Sequence, residues 1–249
     1  MPDPQNIYDQ VEFFAGYRRL RQAGTGLNEV LEQPALGSLL PGSLEGMRVL
    51  DLGCGFGDFA RRARRMGAAR VVGIDASARM LAEAERLTRD PGIEFRRARI
   101  EGLEPEALPY DLVVSSLCLH YVQDYPGAMA RVARLLRSGG RFVFSVEHPM
   151  CTARAQQQWI RDPEGRALYW PVDDYHLEGA RSTHWFVDHV VKYHRTVEAY
   201  VNGLLEAGFQ LRRLLEPKPL TGPGWEQVPD LDLHFRRPPF LLLAGERQG

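Results

Sequence analysis

Cysteine is scarce in this chain of 249 residues, which has three, at positions 54, 118 and 151. The number is odd and no two of them form a C-x-x-C pair, so the sequence indicates neither a disulfide framework nor a thiolate zinc site. Clusters of Asp and Asn of the kind that bind Mg²⁺ are also missing. We therefore expect no bound metal.

Long hydrophobic runs and an excess of one charge are absent as well. No apolar run approaches the ~20 residues of a membrane span, and residues 1–4 offer neither a basic n-region nor an apolar h-region. We therefore expect a cytoplasmic protein without a membrane partner. The formal net charge is −1, so no global field favours nucleic acid. The sequence is compatible with either a monomer or a homodimer.

One stretch has the pattern of a binding loop. The apolar run Met47–Leu52 is typical of a buried strand, and it leads into D-x-G-x-G-x-G at residues 51–57. An amphipathic helix pattern follows at once. Strand, glycine turn and helix are typical of nucleotide-type sites, because glycine turns tightly and leaves no Cβ in the path of a ligand. A dinucleotide fingerprint needs G-x-G-x-x-G over a pyrophosphate, so the shorter spacing favours a different ligand.

Strand and helix patterns alternate along most of the chain. Ser77, Asp124 and Thr196 are predicted to cap helices, and Ser138–Gly140 to end one. The alternation predicts an α/β fold with a doubly wound, mostly parallel seven-stranded sheet and helices on both faces. The predicted strands lie at 47–52, 70–75, 93–95, 110–115, 141–146, 209–215 and 240–244.

The carboxyl ends of these strands are predicted to form the functional site, because ligands of such sheets lie there. Cys54, within the glycine turn, is interpreted as a small packed residue rather than a nucleophile. The polar or unusual residues that follow successive strands are Gly53–Gly57, Asp75, Ala98, Arg99, Ser115, Ser116, Leu117, His120 and His148.

Two segments flank the core. Residues 7–40 are predicted to form helices that pack across the mouth of the site. Residues 148–195 show no clear period and carry three of the four tryptophans; long loops in compact domains are usually functional, often as lids. We predict a single domain with an N-terminal helical segment, a core, a lid and a closing part, and an irregular loop around Trp225. Its parts are 1–45, 46–147, 148–195 and 196–249.

With these elements placed, the chain from residue 47 onward resembles the class I S-adenosylmethionine-dependent methyltransferases. Residues 51–57 match motif I of that family, and Asp75 matches the acid that binds both ribose hydroxyls, for which a carboxylate offers two acceptors. The resemblance implies a Rossmann-like methyltransferase fold, S-adenosylmethionine as cofactor and methyl transfer as activity. Arg99 departs from the pattern, since many members have an aspartate there for the adenine amino group.

The resemblance also implies a set of cofactor-binding residues. Ala76 and Met80 fall where the family packs the adenine, and Ser115 and Leu117 fall in the motif that lines the methionine end. Tyr17 is added because the N-terminal segment is expected to close over the cofactor. The full set is Tyr17, Asp51, Gly53, Cys54, Gly55, Gly57, Asp75, Ala76, Met80, Ala98, Arg99, Ile100, Ser115 and Leu117.

A closer resemblance, over nearly the whole chain, is to a bacterial subgroup of small-molecule-type methyltransferases. The shared motifs are Phe13–Tyr17, Leu119–Val122, Ser145–Pro149 and Lys192–Thr196. They imply no particular substrate. Amino-modifying nucleic-acid enzymes of this fold carry Asn/Asp-Pro-Pro-Tyr/Phe after the fourth strand, and this chain does not.

Three residues are candidates for catalysis. A base is needed if the acceptor must lose a proton, and histidine is the usual base near neutral pH. His120 and His148 both follow strands at the predicted site, and Glu147 is placed either to act as the base or to orient His148. Each histidine has an alternative interpretation as a capping or packed residue.

The predicted function is methyl transfer from S-adenosylmethionine to the nitrogen or oxygen of a small, ring-containing molecule, with residues 148–195 as a lid. The arginines at 61–65 leave an RNA-modifying methyltransferase as an alternative, because they could contact phosphates. A non-catalytic S-adenosylmethionine-binding protein is a second alternative. A nicotinamide-dependent oxidoreductase is a third, disfavoured by the missing G-x-G-x-x-G.

Overall fold

A computed structural model describes residues 5–24, 26–219 and 230–249 of the chain. The predicted irregular loop around Trp225 lies outside the described residues. Among those described, no helix is both long enough and apolar enough to span a bilayer.

The elements follow the predicted alternation. The N-terminal segment is helical, as predicted, and a π-helical turn at Asn28–Glu32 leads directly into its second helix. In chain order the elements are α1 (Val11–Ala23), α2 (Gln33–Leu39), β1 (Arg48–Leu52), α3 (Asp58–Arg65), β2 (Arg70–Asp75), α4 (Ala78–Leu87), β3 (Ile93–Arg97), β4 (Tyr110–Ser115), α5 (Tyr125–Leu135), β5 (Leu136–Glu147), α6 (Pro149–Thr152), β6 (Ile160–Arg161), β7 (Ala167–Tyr169), β8 (Gly179–Trp185), β9 (Val187–His194), α7 (Val197–Glu206), β10 (Phe209–Leu215) and β11 (Phe240–Arg247).

The central sheet has seven strands in the order β10-β11-β5-β4-β1-β2-β3. Strands β1 to β5 pair in parallel, while β11 is antiparallel to both β5 and β10. The chain reverses its direction of travel across the sheet between β1 and β4. The strand order and pairing confirm the predicted fold class. Ligands of α/β sheets bind at such a switch point, so we expect the site at the carboxyl ends of β1 and β4.

Side chains of the strands alternate between two apolar cores. Leu50 and Leu52 of β1 pack on the face covered by α5 and α7, whereas Val49 packs on the face covered by α2 and α3. Burial on both sides explains why the strands read as nearly continuous apolar runs.

The three predicted helix caps are confirmed. Met80 N–H donates to Ser77 Oγ at 3.1 Å, Gly127 N–H to the Asp124 carboxylate at 2.9 Å, and Ala199 N–H to Thr196 Oγ1 at 3.0 Å. Such caps satisfy backbone donors that the first turn of a helix leaves without partners.

Two sequence predictions need correction. Ser138–Gly140 does not end a helix: α5 stops at Leu135, and these residues form an irregularity in β5 between the pairs Tyr110–Leu136 and Leu112–Arg141. Residues 148–195 are not an irregular loop either, because they contain the hairpins β6–β7 and β8–β9. Strands β6 and β7 are too short, and β8 and β9 alternate too weakly in hydrophobicity, to be recognised from the sequence.

Candidate active site

A cavity of about 580 Å³ opens at the carboxyl ends of β1 to β5. It brings together most of the residues predicted for the site. The predicted residues that line it are Tyr17, Asp51, Gly53, Cys54, Gly55, Asp75, Ala76, Met80, Ala98, Arg99, Ile100, Leu117, His120 and Glu147. Gly57, Ser115 and His148 are not among the lining residues.

The three glycines after β1 have different roles. All have positive φ, between 53° and 74°. A Cβ on Gly53 would lie 2.5 Å from Cys118 Sγ, and one on Gly57 would lie 2.6 Å from Phe95 Cζ. A Cβ on Gly55 would meet no atom within 4 Å. Gly53 and Gly57 therefore permit close packing, whereas Gly55 leaves the approach to the turn open.

Asp75 joins the end of β2 to the glycine turn. Its carboxylate accepts Gly55 N–H at 3.0 Å and Ser77 N–H at 2.8 Å. Burial raises the pKa of Asp75, and these two hydrogen bonds oppose the shift. The carboxylate is thus held in a fixed orientation at the cavity wall.

Asp51, at the start of the glycine motif, is a buried acid with one oxygen unsatisfied. The residue is 2 % exposed, and Oδ2 has no hydrogen-bond partner among the described residues. Burial, followed by the charges of Asp75 and Asp58, raises the pKa of Asp51 to about 8. An orphaned acidic oxygen in a cavity wall indicates that a ligand with a donor or a positive charge binds there.

Ser115 and His148 occupy structural positions. Ser115 Oγ donates to the carbonyl of Leu52 at 3.1 Å inside the sheet. His148 is 2 % exposed; its Nδ1 accepts Met150 N–H at 3.1 Å and its Nε2 bonds Glu216 at 2.8 Å. Both histidine nitrogens are therefore occupied away from the cavity, which corrects the expectation that His148 faces it. Glu147 is the last residue of β5, whereas His148 already caps α6, so the two side chains diverge.

Glu147 and Lys192 form a buried ion pair at the other end of the cavity. Glu147 Oε1 accepts Lys192 Nζ at 2.6 Å, and Lys192 is 2 % exposed. Burial raises the pKa of Glu147, but the charge and hydrogen bond of Lys192, together with His120 and Arg237, outweigh burial, and the pKa lies below its ordinary value. Glu147 is therefore ionised, and the hairpin β8–β9 supplies its counter-ion.

His120 is placed as a hydrogen-bond donor. Burial lowers its pKa to about 4, so the ring is neutral at pH 7. Its Nδ1 accepts the backbone N–H of Glu147 at 3.4 Å. A neutral imidazole carries one proton, which then resides on Nε2. This geometry corrects the expectation of a histidine base, because the nitrogen left for a ligand already holds a proton.

Five rings from α1, its preceding turn and the β8–β9 turn form an aromatic cap. Trp185 and Phe186 stack on each other. The other contacts are edge-to-face, with ring centroids 4.9 Å apart for Tyr8–Phe13, 5.2 Å for Phe13–Trp185 and 6.1 Å for Tyr17–Trp185. The cap consists of Tyr8, Phe13, Tyr17, Trp185 and Phe186. Tyr8, Tyr17 and Trp185 line the cavity. The N-terminal segment therefore packs across the mouth, as predicted.

Glu32 is a site-supporting residue that the sequence reasoning missed. It is fully buried, and Oε1 accepts Ser145 Oγ at 2.5 Å and Ser116 Oγ at 2.9 Å. Oε2 accepts Gln33 Nε2 at 2.8 Å. These bonds tie the π-helical turn before α2 to β5 and to the segment after β4, and they hold Ser116 and Gln33 in the cavity wall. An acid inside an otherwise apolar helix face was the available signal.

Further lining residues also lay outside the prediction. His234 Nδ1 is buried without a partner in the described part of the chain, and burial lowers its pKa to about 4. Apart from Tyr121, which lies in the shared motif Leu119–Val122, none of these positions carries a motif that the sequence alone singles out. They include Asn6, Arg21, Asn28, Glu29, Gln33, Glu101, Tyr121, His234 and Phe240.

The described residues give no support for a cysteine nucleophile or a bound metal ion at this site. Burial raises the pKa of the Cys54 thiol well above its ordinary value, as expected for a packed residue rather than a thiolate nucleophile. Within the ranges that the structure describes, no group of three or more His, Cys, Asp or Glu side chains is arranged to hold a metal ion.

The sheet order, the glycine turn and the carboxylate at the end of β2 together define a Rossmann-like site of the methyltransferase type. Residues 49–140 match the family described as a methyltransferase domain. The fold is similar to an S-adenosylmethionine dependent methyltransferase from Mesorhizobium loti, with a TM-score of 0.81 and 42 % identity over 89 % of this chain and 100 % of that one.

Two curated relatives extend the comparison. A protein of Haemophilus influenzae called uncharacterized is 33 % identical over 97 % of each chain. A ubiquinone biosynthesis O-methyltransferase of Methylocella silvestris is 39 % identical over 40 % of this chain and 40 % of its own length. The chain belongs to the S-adenosylmethionine-dependent methyltransferases. It is an enzyme, and its cofactor is S-adenosylmethionine.

Proposed function

We propose that the enzyme transfers the methyl group of S-adenosylmethionine to the nitrogen or oxygen of a small, ring-containing molecule. The observation that carries this proposal is that Asp75 and Glu147 line one continuous cavity beneath the aromatic cap. Enclosed apolar sites with a few convergent polar groups are how proteins usually hold small ligands.

The residues at one end of the cavity fit the cofactor. Asp75 is assigned to the ribose diol, and the open approach at Gly55 admits the ligand to the turn. The orphaned oxygen of Asp51 suits the ammonium group. Ala76, Met80, Ala98, Arg99 and Ile100 are assigned to the adenine.

The chain contributes mainly alignment to the reaction. S-adenosylmethionine, when bound, supplies an electrophilic methyl group on a sulfonium. Holding the acceptor in line with that methyl can contribute ~7–11 kcal/mol to lowering the barrier. Glu147 and His120 are the polar groups opposite the cofactor end that can orient the acceptor.

The hairpin β8–β9 is the part of residues 148–195 assigned to the lid. Its turn supplies Trp185 to the cavity wall, and Phe186 packs on α1 with its ring 5.6 Å from that of Phe13. The hairpin β6–β7 does not line the cavity. It packs instead near 230–236, where Arg236 Nη1 donates to the carbonyl of Ala167 at 2.9 Å.

A macromolecular acceptor has less support. Two arginines of the 61–65 cluster are paired with acids: Arg61 with Asp58, and Arg64 with Asp90 at 2.9 Å. The cluster is therefore partly neutralised and is not the free basic face that binding to phosphates requires. The relative from Methylocella silvestris acts as an O-methyltransferase by its name, which agrees with oxygen as one of the two acceptor atoms.

The test is methyl transfer from labelled S-adenosylmethionine to three separate preparations: a protein-free and nucleic-acid-free metabolite extract, bulk RNA, and folded protein. We expect label only in the metabolite extract. Replacing residues 180–193 by two glycines should abolish transfer and change cofactor affinity by less than about threefold. The matched control replaces residues 162–166 of the other hairpin by Asn-Gly and should retain transfer. Label in RNA or protein that survives loss of β8–β9 would refute the proposal.

A further inference from the structure

One carboxylate oxygen at the end of β5 is buried without a hydrogen-bond partner. Oε1 of Glu147 is occupied by Lys192, whereas Oε2 has no partner within the described ranges. Proteins leave few buried polar atoms unsatisfied, and each exception calls for an explanation. Because Glu147 lines the cavity and is ionised, its second oxygen indicates a ligand N–H or O–H group.

His120 adds a donor beside that acceptor. Its Nδ1 contacts the backbone nitrogen of Glu147, so the imidazole and the carboxylate are neighbours on the same wall. With the ring proton on Nε2, His120 requires an acceptor on the ligand. The ligand group between them must donate to Glu147 and accept from His120.

The hydrogen-bond inventory separates an amine from a hydroxyl at this position. A neutral amine has one lone pair, and that pair must attack the methyl carbon. A hydroxyl has one O–H and two lone pairs. It can donate to Glu147, accept from His120 and still direct a lone pair at the methyl group.

The charges around Glu147 point the same way. Lys192 already neutralises the carboxylate, and the guanidinium of Arg237 lies nearby, 9 % exposed. Arg237 stacks over the Trp170 ring at 3.9 Å and contacts Cys151 Sγ at 2.7 Å. No carboxylate pairs with it among the described residues. A substrate ammonium would add a further positive charge here, whereas a hydroxyl that becomes partly anionic is stabilised.

We propose that the acceptor is the hydroxyl group of a phenol or of a cyclic enol, held between Glu147 Oε2 and His120 Nε2. This inference rests on the proposed function. The hydroxyl oxygen bonds to the methyl carbon while the carbon–sulfur bond breaks, and that bonding pair remains on sulfur. The hydroxyl proton passes to Glu147 Oε2. A carboxylate is a weak base, so an acidic hydroxyl such as a phenol, with a pKa of about 10, suits it better than an alkyl alcohol.

The first experiment identifies the bond formed. The labelled product from the metabolite extract is purified, and its methyl linkage is assigned by mass spectrometry and NMR. An aryl or enol methyl ether is expected. An N-methyl group, a methyl ester or an alkyl ether would overturn this inference while leaving the proposed function intact. No labelled small molecule would overturn the proposed function itself.

The second experiment tests Glu147 with the same purified acceptor. Glu147→Gln should lower kcat/KM by at least about 100-fold, the range for loss of a general base, with cofactor affinity changed less than about threefold. Glu164→Gln, on the exposed β6–β7 turn, is the matched control and should have no effect. Retention of kcat/KM within about threefold in Glu147→Gln would overturn the assignment.

The third experiment treats Lys192 as a positioning residue, with the pH profile as readout. Activity should fall as pH drops through the pKa of Glu147, which Lys192 holds below its ordinary value. Lys192→Met should move that acidic limb upward by at least about one pH unit, and Lys192→Arg should restore it. An unmoved limb in Lys192→Met would overturn the role of Glu147 as the base. The groups that face Glu147 are Lys192, His120, Arg237, Tyr121, Cys151 and Tyr200.

Discussion

The ring of Phe186 lies directly against the backbone of Gly16, so that a Cβ carbon on residue 16 would come within 2.7 Å of Phe186 Cδ1. Phe186 forms the β8–β9 turn with a φ of 61°, a conformation that bulky residues rarely adopt. The glycine in α1 is therefore what allows the hairpin to close on the N-terminal segment and to place Trp185 in the cavity wall.

Gly16→Val should displace the hairpin without unfolding the sheet. Overpacking of this kind costs about 1–3 kcal/mol, concentrated on the contact between α1 and the β8–β9 turn. Hydrogen exchange should accelerate in residues 179–194 and stay unchanged in β1 and β4. Arg19→Ala, on the exposed face of the same helix, is the control. Equal exchange in Gly16→Val and the unsubstituted protein would show that this contact does not hold the hairpin.

Gly55→Val should abolish cofactor binding while the fold survives. The substitution costs about 1–2 kcal/mol because φ is positive, and it fills the open space through which the ligand reaches the turn. Gly42→Val is the control, since a Cβ there also meets nothing within 4 Å and the residue is remote from the cavity lining. Calorimetry with S-adenosylhomocysteine and far-UV circular dichroism measure the two effects. Normal affinity would contradict the role of the turn.

Asp75→Ala should weaken cofactor binding by about 1.5–3 kcal/mol, the range for hydrogen bonds to a charged group. The carboxylate is lost both to the ribose and to Gly55 N–H, so the turn is loosened as well. Asp111→Ala is a matched control, because that carboxylate also accepts a backbone N–H, from Arg48 at 2.8 Å, but at the opposite end of the sheet. Unchanged affinity in Asp75→Ala would remove Asp75 from the ribose.

Cofactor binding should release protons near pH 7 because of Asp51. With its pKa at about 8, Asp51 holds a proton in the free enzyme, and a cationic ligand beside it favours ionisation. Calorimetry in buffers of different ionisation enthalpy measures the release, which should shrink in Asp51→Asn. Equal proton release in both proteins would place the ammonium elsewhere.

The same acid should make the free enzyme less stable as pH rises. The folded pKa of Asp51 is above the unfolded value, so its contribution to stability is fully present below the unfolded pKa of about 3.9 and is lost as pH rises through about 8. Asp51→Asn lacks this contribution. The free energy of unfolding of Asp51→Asn, relative to the unsubstituted enzyme, should therefore increase from pH 5 to pH 8 in denaturant titrations. A constant difference would contradict the raised pKa.

The sequence was sufficient for elements whose signal is local. The D-x-G-x-G-x-G turn, the caps Ser77 and Thr196, and the apolar strands depend on short-range backbone chemistry and on burial, both of which leave a pattern along the chain. These patterns also place Asp51 and Asp75 at one sheet edge, because parallel strands align their carboxyl ends. The family resemblance rests on the same local motifs.

Only the tertiary structure decided which neighbouring side chains face the cavity. Glu147 and His148 are adjacent in sequence, yet Glu147 at the end of β5 lines the cavity, whereas His148 at the start of α6 bonds Glu216. The pairing of Glu147 with Lys192 joins residues 45 positions apart, and Glu32 meets Ser145 across 113 positions. Such contacts depend on how strands and helices pack in space, and no spacing along the chain encodes them.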